Sequence, residues 1–177
     1  MPQHVRVGLR LKPDKGDADD VVPQSIMIAV IQRVKRAAVR VGGAVTGECG
    51  QGLAILLGVS RGDDEKDALL LAKKIAKLRI FSDQDGKMNL SVTDVKGGAV
   101  IVSQFTLLAN YVHGNRPDYL AAAEPGEAKR LYERFAELFE EASSIKAGMG
   151  VFGAHMEYEI LNDGPVTIVM DSRLLKK

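Results

Sequence analysis

The chain has 177 residues, 46% of them apolar and 27% charged, with a formal net charge of +1. That size and mixture suit one globular domain with a sizeable core, and the near-neutral balance argues against a broad electrostatic grip on nucleic acid, leaving room for a local grip on one RNA end. No apolar run approaches the 18 residues of a membrane helix, and the single cysteine, Cys49, excludes an intrachain disulfide or a zinc site built on two cysteines of one chain, which suits a reducing cytoplasm.

Residues 1–26 lack a regular pattern: Pro2, Pro13 and Pro23 and the acidic group Asp17, Asp19 and Asp20 interrupt it. No apolar stretch of a secretory signal follows the early charges, so this part is expected to be a disordered or loosely attached N-terminal extension. Met27 opens a strongly patterned segment. Residues 27–172 are expected to form the folded domain and 173–177 a short C-terminal tail.

Ile28-Ala29-Val30-Ile31 and Ala37-Ala38-Val39-Arg40-Val41 read as two strands, and Gly42-Gly43 after them as a turn. Leu53 to Val59 is continuously apolar, as in a strand buried on both faces. Gly62-Asp63-Asp64 can supply the N-cap of a helix near 65–78 whose buried stripe is Ala68, Leu71, Ala72, Ile75 and Leu78. Arg79-Ile80-Phe81 reads as a short strand, and Ser82 to Lys87 as a turn that lacks the glutamate needed to close a calcium loop. Ala99 to Val102 is a strand that delivers Ser103 at its end. A long polar loop with His113-Gly114-Asn115-Arg116-Pro117 leads to a second helix, Pro125 to Ala142. Strands near 155–161 and 166–171 flank Asn162-Asp163-Gly164-Pro165. The order predicts an α+β fold: a single domain with a mixed or antiparallel β-sheet, barrel-like, packed with two main helices. Two basic runs, Arg33, Lys35, Arg36 and Arg40, then Lys73, Lys74, Lys77 and Arg79, read as solvated faces rather than RNA contacts.

For chemistry, the absences come first. There is no Walker loop, no Gly-x-Gly-x-x-Gly after a strand, no His-Glu-x-x-His and no Gly-x-Ser-x-Gly elbow, and the spacing of His4, His113 and His155 supports no Ser-His-Asp triad. The sparse ligand set gives no metal site. Ser103-Gln104-Phe105-Thr106 leaves the end of a buried strand, where a rigid element can aim hydroxyls, an amide and backbone N–H groups into a cleft; the same residues also suit a strand cap. Asp163-Gly164 between apolar runs is a hairpin signal, and Pro165 suits a turn. In the Gly-rich segment 147–156, Phe152 and Met156 can line an apolar pocket or simply serve a bent strand.

Several short motifs occur together in one order: Ile31-Gln32-Arg33-Val34, Leu56-Leu57-Gly58-Val59, Leu78-Arg79-Ile80-Phe81, Lys87-Met88-Asn89, Ser103 to Leu107, Gly114-Asn115-Arg116-Pro117, Phe152-Gly153-Ala154 and Asn162 to Thr167. This series resembles the D-aminoacyl-tRNA deacylases over about 27–172. Asp118-Tyr119 departs from the Ser-Phe more usual after Arg-Pro, and Gly148-Met149-Gly150 looks slightly expanded. The resemblance implies a homodimer that hydrolyses the ester of D-aminoacyl-tRNA at the 3′ terminal adenosine, without cofactor, metal, membrane or DNA. It implies that Gly164-Pro165 is cis and enters the partner subunit's site, where backbone carbonyls hold the α-amino group and reject an L side chain. Glycyl-tRNA mischarged on tRNA-Ala would also be cleaved, and Arg33 would help hold the motif. Two mechanisms compete. Thr106 is a nucleophile, or backbone N–H groups near Phe105 and Thr106 hold the ester while water attacks with help from the substrate's 2′-OH. The second is preferred because Thr106 has no obvious base; Gln104 then orders the site. The reading set against these is a non-catalytic module that binds an RNA end.

Overall fold

The computed structural model describes residues 26–176, so the expected extension lies outside the described residues apart from Ile26. β1 (Ile28–Val41) runs without a break. Two strands were expected there because polar Gln32, Arg33, Lys35 and Arg36 divide the apolar runs. The backbone ladder spans them: β8 pairs along one edge, while β3 and then β2 pair along the other. Pairing on both edges holds the strand together through these polar residues, at the cost of register shifts around Val34.

Gly42 and Gly43 turn the chain with φ of 56° and 84° into β2 (Ala44–Cys49). β3 (Gly52–Gly58) is buried on both faces. Helix α1 (Glu65–Ala76) follows. The Asp64 carboxylate accepts from the N–H groups of Lys66 and Asp67, and the Asp67 carboxylate accepts from the Asp64 N–H, a reciprocal cap. β4 (Phe81–Ser82) and β5 (Met88–Leu90) form a small separate pair around the Asp83 turn. β6 (Gly98–Ser103) lies parallel to β3 and ends in a 3-10 turn, Phe105–Leu108. Helix α2 is Pro125–Ser143, and β7 (Gly148–Met149) adds to β6 in parallel.

β8 (Glu157–Asp171) is also one strand, antiparallel to β1 from end to end. The chain does not reverse at Asp163-Gly164, so the pair of strands expected around a hairpin is corrected to a single strand with an excursion. Val34 faces Asn162 but Gln32 already faces Thr167, and the residues between them leave the ladder.

The sheet order is β2-β1-β3-β6-β7, with β8 on the free edge of β1. The sheet curls until β7 meets β2: a Cβ on Gly47 would lie 2.5 Å from the Met149 backbone nitrogen. The result is an α+β domain whose mixed sheet nearly closes into a barrel. α1 and α2 cover one face, where Leu71, Ile75, Leu131 and Phe135 meet Ile31 and Ile55. Burying each such side chain contributes roughly 1.5–3 kcal/mol. A smaller cluster of Val34, Val39, Ala54, Val100 and Val102 fills the other face under Tyr158.

The two ends of the described fold are tied together. The Met27 N–H donates to Ser172 Oγ at 3.1 Å, and the Ser172 N–H donates to the Met27 carbonyl at 3.0 Å. Ser172 opens a closing 3-10 turn, Ser172–Leu175. Lys176 Nζ lies 2.7 Å from the carboxylate of buried Asp67. Burial pushes Asp67 up, but hydrogen bonds from Lys176, Ser172 and the Asp64 N–H outweigh it and hold the carboxyl below its ordinary range. Asp63 behaves oppositely. Burial, aided by the charge of Asp67, pushes it up to about 6 against hydrogen bonds from Ser60 and the charge of Lys176.

A carboxyl that titrates higher when folded stabilises the fold below its unfolded pKa, and that contribution fades as pH rises through the folded value. The melting temperature is therefore expected to decline between about pH 4 and pH 7, because Asp67 titrates below that window. Asp63→Asn should flatten the decline in a thermal melt series; an unchanged slope would assign it elsewhere.

Candidate active site

β6 and β3 run parallel with Leu57 opposite Ser103, so Ser103 emerges at a buried sheet end. The Gln104 N–H donates to the Leu57 carbonyl at 2.8 Å and locks the start of the 3-10 turn onto β3. Gly58 leaves room for that turn: a Cβ there would meet the Gln104 carbonyl at 3.1 Å and the Leu107 side chain at 3.2 Å. The first N–H groups of such a turn have no partner within it. Those of Phe105 and Thr106 donate to nothing among the described residues. Gln104 Nε2 donates to Thr106 Oγ1. An amide is no base at neutral pH, and among the described residues no imidazole or carboxylate hydrogen-bonds that hydroxyl.

A cleft of about 580 Å³ opens beside this turn. Ser103, Gln104 and Phe105 form one wall, Phe152 and Met156 another, and Tyr119 and Ala123 reach in from the loop before α2. The Gly-rich wall is set by α2. The Tyr132 hydroxyl sits 2.8 Å from the Ile101 carbonyl and 3.1 Å from that of Gly150, and its ring lies 6.2 Å from that of Phe152. Burial pushes the Tyr132 hydroxyl up, so it stays a neutral donor. Phe105 is 54% exposed at the mouth and meets Tyr119 edge-on at 4.9 Å.

The sequence-derived candidates fall into two places. Ser103, Gln104, Phe105, Phe152 and Met156 line the cleft, whereas Thr106 is exposed on the turn and outside the lining. Gly164, Pro165 and Arg33 meet at the β8 excursion and are absent from that lining. The Gly164-Pro165 bond is cis. Asn162 clasps the excursion across its base: its Nδ2 donates to the Val166 carbonyl at 3.0 Å, and its Oδ1 accepts from the Val166 N–H at 3.2 Å. Only glycine fits at 164, since a Cβ there would lie 2.0 Å from the Val166 nitrogen.

Arg33 is not part of a solvated basic face. Its side chain is 13% exposed and lies against Asp163, with Nε 3.3 Å from the carboxylate. Nε also donates to the Asp163 carbonyl at 2.9 Å, and Nη1 donates to the Ile80 carbonyl at 2.6 Å. Sequence reasoning missed Tyr119, His155 and Tyr158 as lining residues. The only available signals were the departure after Arg116-Pro117 and the position of His155 beside Met156. Among the described residues no cluster of three or more His, Cys, Asp or Glu is placed to hold a metal ion. No helix among them is long and apolar enough to cross a membrane.

Known proteins resemble the chain along most of its length. The family model described as D-Tyr-tRNA(Tyr) deacylase matches residues 30–171. The D-aminoacyl-tRNA deacylase of Persephonella marina is 56% identical over 149 residues, 84% of this chain and 100% of the relative. That of Anaeromyxobacter dehalogenans is 54% identical over 149 residues, 84% of this chain and 99% of the relative. A solved structure described as a c-Myc DNA unwinding element binding protein superposes with a TM-score of 0.76 at 40% identity, covering 81% of this chain and 97% of that one. One described as a probable eukaryotic D-amino acid tRNA deacylase shares the fold at 16% identity, with a TM-score of 0.70 over 82% of this chain and 99% of its own. With the family model spanning the sheet, both helices and the cleft, the chain belongs to the D-Tyr-tRNA(Tyr) deacylase family.

Proposed function

We propose that the protein is a hydrolase that cleaves the ester bond of D-aminoacyl-tRNA and releases free tRNA and a D-amino acid. The observation that carries this reading is identity above one half to a D-aminoacyl-tRNA deacylase along that relative's entire length. The cleft supports a matching mechanism. The terminal adenosine and its aminoacyl ester enter between the Phe105 and Phe152 walls. Water attacks the ester carbonyl, and the developing oxyanion is met by the N–H groups of Phe105 and Thr106, which have no partner among the described residues. The 2′-OH beside the ester relays the proton from water to the departing 3′ oxygen. Gln104 holds the turn in shape. Thr106, without a base and already accepting from Gln104, is not the nucleophile.

Selectivity belongs to the β8 excursion. Gly164 and Pro165 are exposed and lie outside the lining of their own subunit's cleft. They act in the cleft of a second copy, so the active unit is a homodimer. Their carbonyls take the α-ammonium group and leave no space for an L side chain. A D side chain points away, and glycine, with none, is also released, including glycine mischarged on tRNA-Ala. The site of action is the cytoplasm, where charged tRNA is used.

The test is hydrolysis of D-tyrosyl-tRNA and L-tyrosyl-tRNA by wild type and Thr106→Ala, with the oligomeric state measured in parallel. D-tyrosine is expected to be lost and L-tyrosine kept, from a dimer. Thr106→Ala should remain within about tenfold of wild type, whereas removing a true nucleophile costs on the order of 10⁶-fold. Release of neither amino acid would overturn the reading, and an active monomer would remove the cross-subunit filter.

A further inference from the structure

Arg116 is the one arginine among the described residues with neither a hydrogen bond nor an ion pair. Every other described arginine is engaged by a backbone or side-chain oxygen. It sits on a loop, 111–117, whose residues are all exposed. Asn110 and Asp118 clasp the loop at its base through two reciprocal backbone hydrogen bonds of 2.9 Å. Both stems adjoin segments that line the cleft, the 3-10 turn with Phe105 and the loop with Tyr119. Ala109 follows the 3-10 turn, and Tyr119 follows Asp118 and packs on Phe105. The loop therefore projects from the mouth of the cleft. It carries Tyr111 at 73% and Val112 at 77% exposure, with Leu120 at 71% just beyond.

Aromatic surface left in water beside an unengaged guanidinium is the chemistry that receives single-stranded nucleic acid. Rings stack on bases, and arginine takes phosphate oxygens in a two-pronged contact. The near-neutral net charge does not weaken this, because only a few phosphates are involved. A substrate with its terminal adenosine in the cleft must leave through the mouth, and the nucleotides next to it are unpaired.

We propose that the loop 111–117 holds the unpaired 3′ nucleotides that precede the terminal adenosine of the substrate RNA, with Tyr111 stacked on a base and Arg116 paired with a phosphate. This rests on the reading of the cleft as the aminoacyl-adenosine site. It adds a second foothold, which would explain how a nearly neutral protein selects an RNA-borne ester over a free one. Lys73 and Lys74 on α1 and Lys77 just after it, in a shallow groove with Leu174, form the rival basic surface.

The first measurement is binding of two RNA minihelices, one with an unpaired 3′ tail and one blunt. Wild type is expected to prefer the tailed form. Tyr111→Ala and Arg116→Ala should each cut that preference about tenfold. Arg116→Ala should also reduce the slope of log affinity against log salt by about one, and Arg116→Lys should restore that slope. The second measurement compares turnover of D-aminoacyl-tRNA with that of D-aminoacyl-adenosine, which lacks the tail. The ratio of their kcat/KM values should fall about tenfold in Arg116→Ala. Equal losses on both substrates would make the loop a mere prop of the cleft and overturn the proposal. Loss of tail preference on Lys74→Ala with Lys77→Ala, but not on Arg116→Ala, would also overturn it by moving the RNA to α1. Normal tail preference with no hydrolysis of either ester would instead refute the deacylase reading and leave the tail site standing.

Discussion

Arg33→Ala is expected to let the enzyme hydrolyse L-tyrosyl-tRNA while it still hydrolyses the D form, with discrimination falling on the order of 10²-fold, the size of effect that follows from misplacing a positioning group by about 1 Å. Arg33 joins Asp163 to the Ile80 carbonyl, so its loss frees the excursion from the body of the fold on one side and leaves only the Asn162 clasp. Arg33→Lys keeps the charge opposite Asp163 but has no planar fork to serve two carbonyls at once, and it should not rescue selectivity. The check is the ratio of D to L rates in a variant that melts like wild type. An unchanged ratio would mean that the excursion needs no tether, or that selection happens elsewhere.

Gly52→Ala should be among the most damaging single methyls in the described fold. A Cβ at Gly52 would lie 2.0 Å from the Gly98 carbonyl oxygen and 2.6 Å from its carbon, both backbone atoms of the paired strand. Neither can rotate aside, so β3 and β6 must part. The expected cost is about 3 kcal/mol, at the upper end for overpacking. That corresponds to a fall in Tm of about 10 °C for a domain of this size. Activity should suffer as well, because the same pair carries Ser103 at its far end. Gly126→Ala is the control. It lies in the first turn of α2 with nothing within 4 Å, and it should leave the stability close to wild type. Thermal melts of both variants decide the matter; a Gly52→Ala protein as stable as wild type would show that the strands separate freely.

Elements governed by local signals were legible in advance. Gly62-Asp63-Asp64 marks the start of α1, the apolar spacing of Leu131, Phe135 and Leu138 marks α2, and the unbroken run from Leu53 marks β3. What escaped depends on distant chain. Asp163-Gly164 spells a turn to its neighbours, but β1 pairs on both sides of it and holds β8 as one strand that bulges there. Arg33 looks like one cation in a basic run until Asp163, 130 residues away, lies against it. In the cleft, the residues on the β6 strand end and in the Gly-rich segment could be nominated from sequence. Tyr119 could not, because its place depends on how a long loop folds back on Phe105.

The reciprocal hydrogen bonds between Met27 and Ser172 have a consequence for the chain as a whole. They bring the beginning of β1 and the end of β8 to a single knot beside α1, with Asp67 and Lys176 drawn across it. Topologically the fold is a ring cut at one place. A few linking residues across that cut would close it, and its starting point could move to an exposed loop without changing any pairing in the sheet.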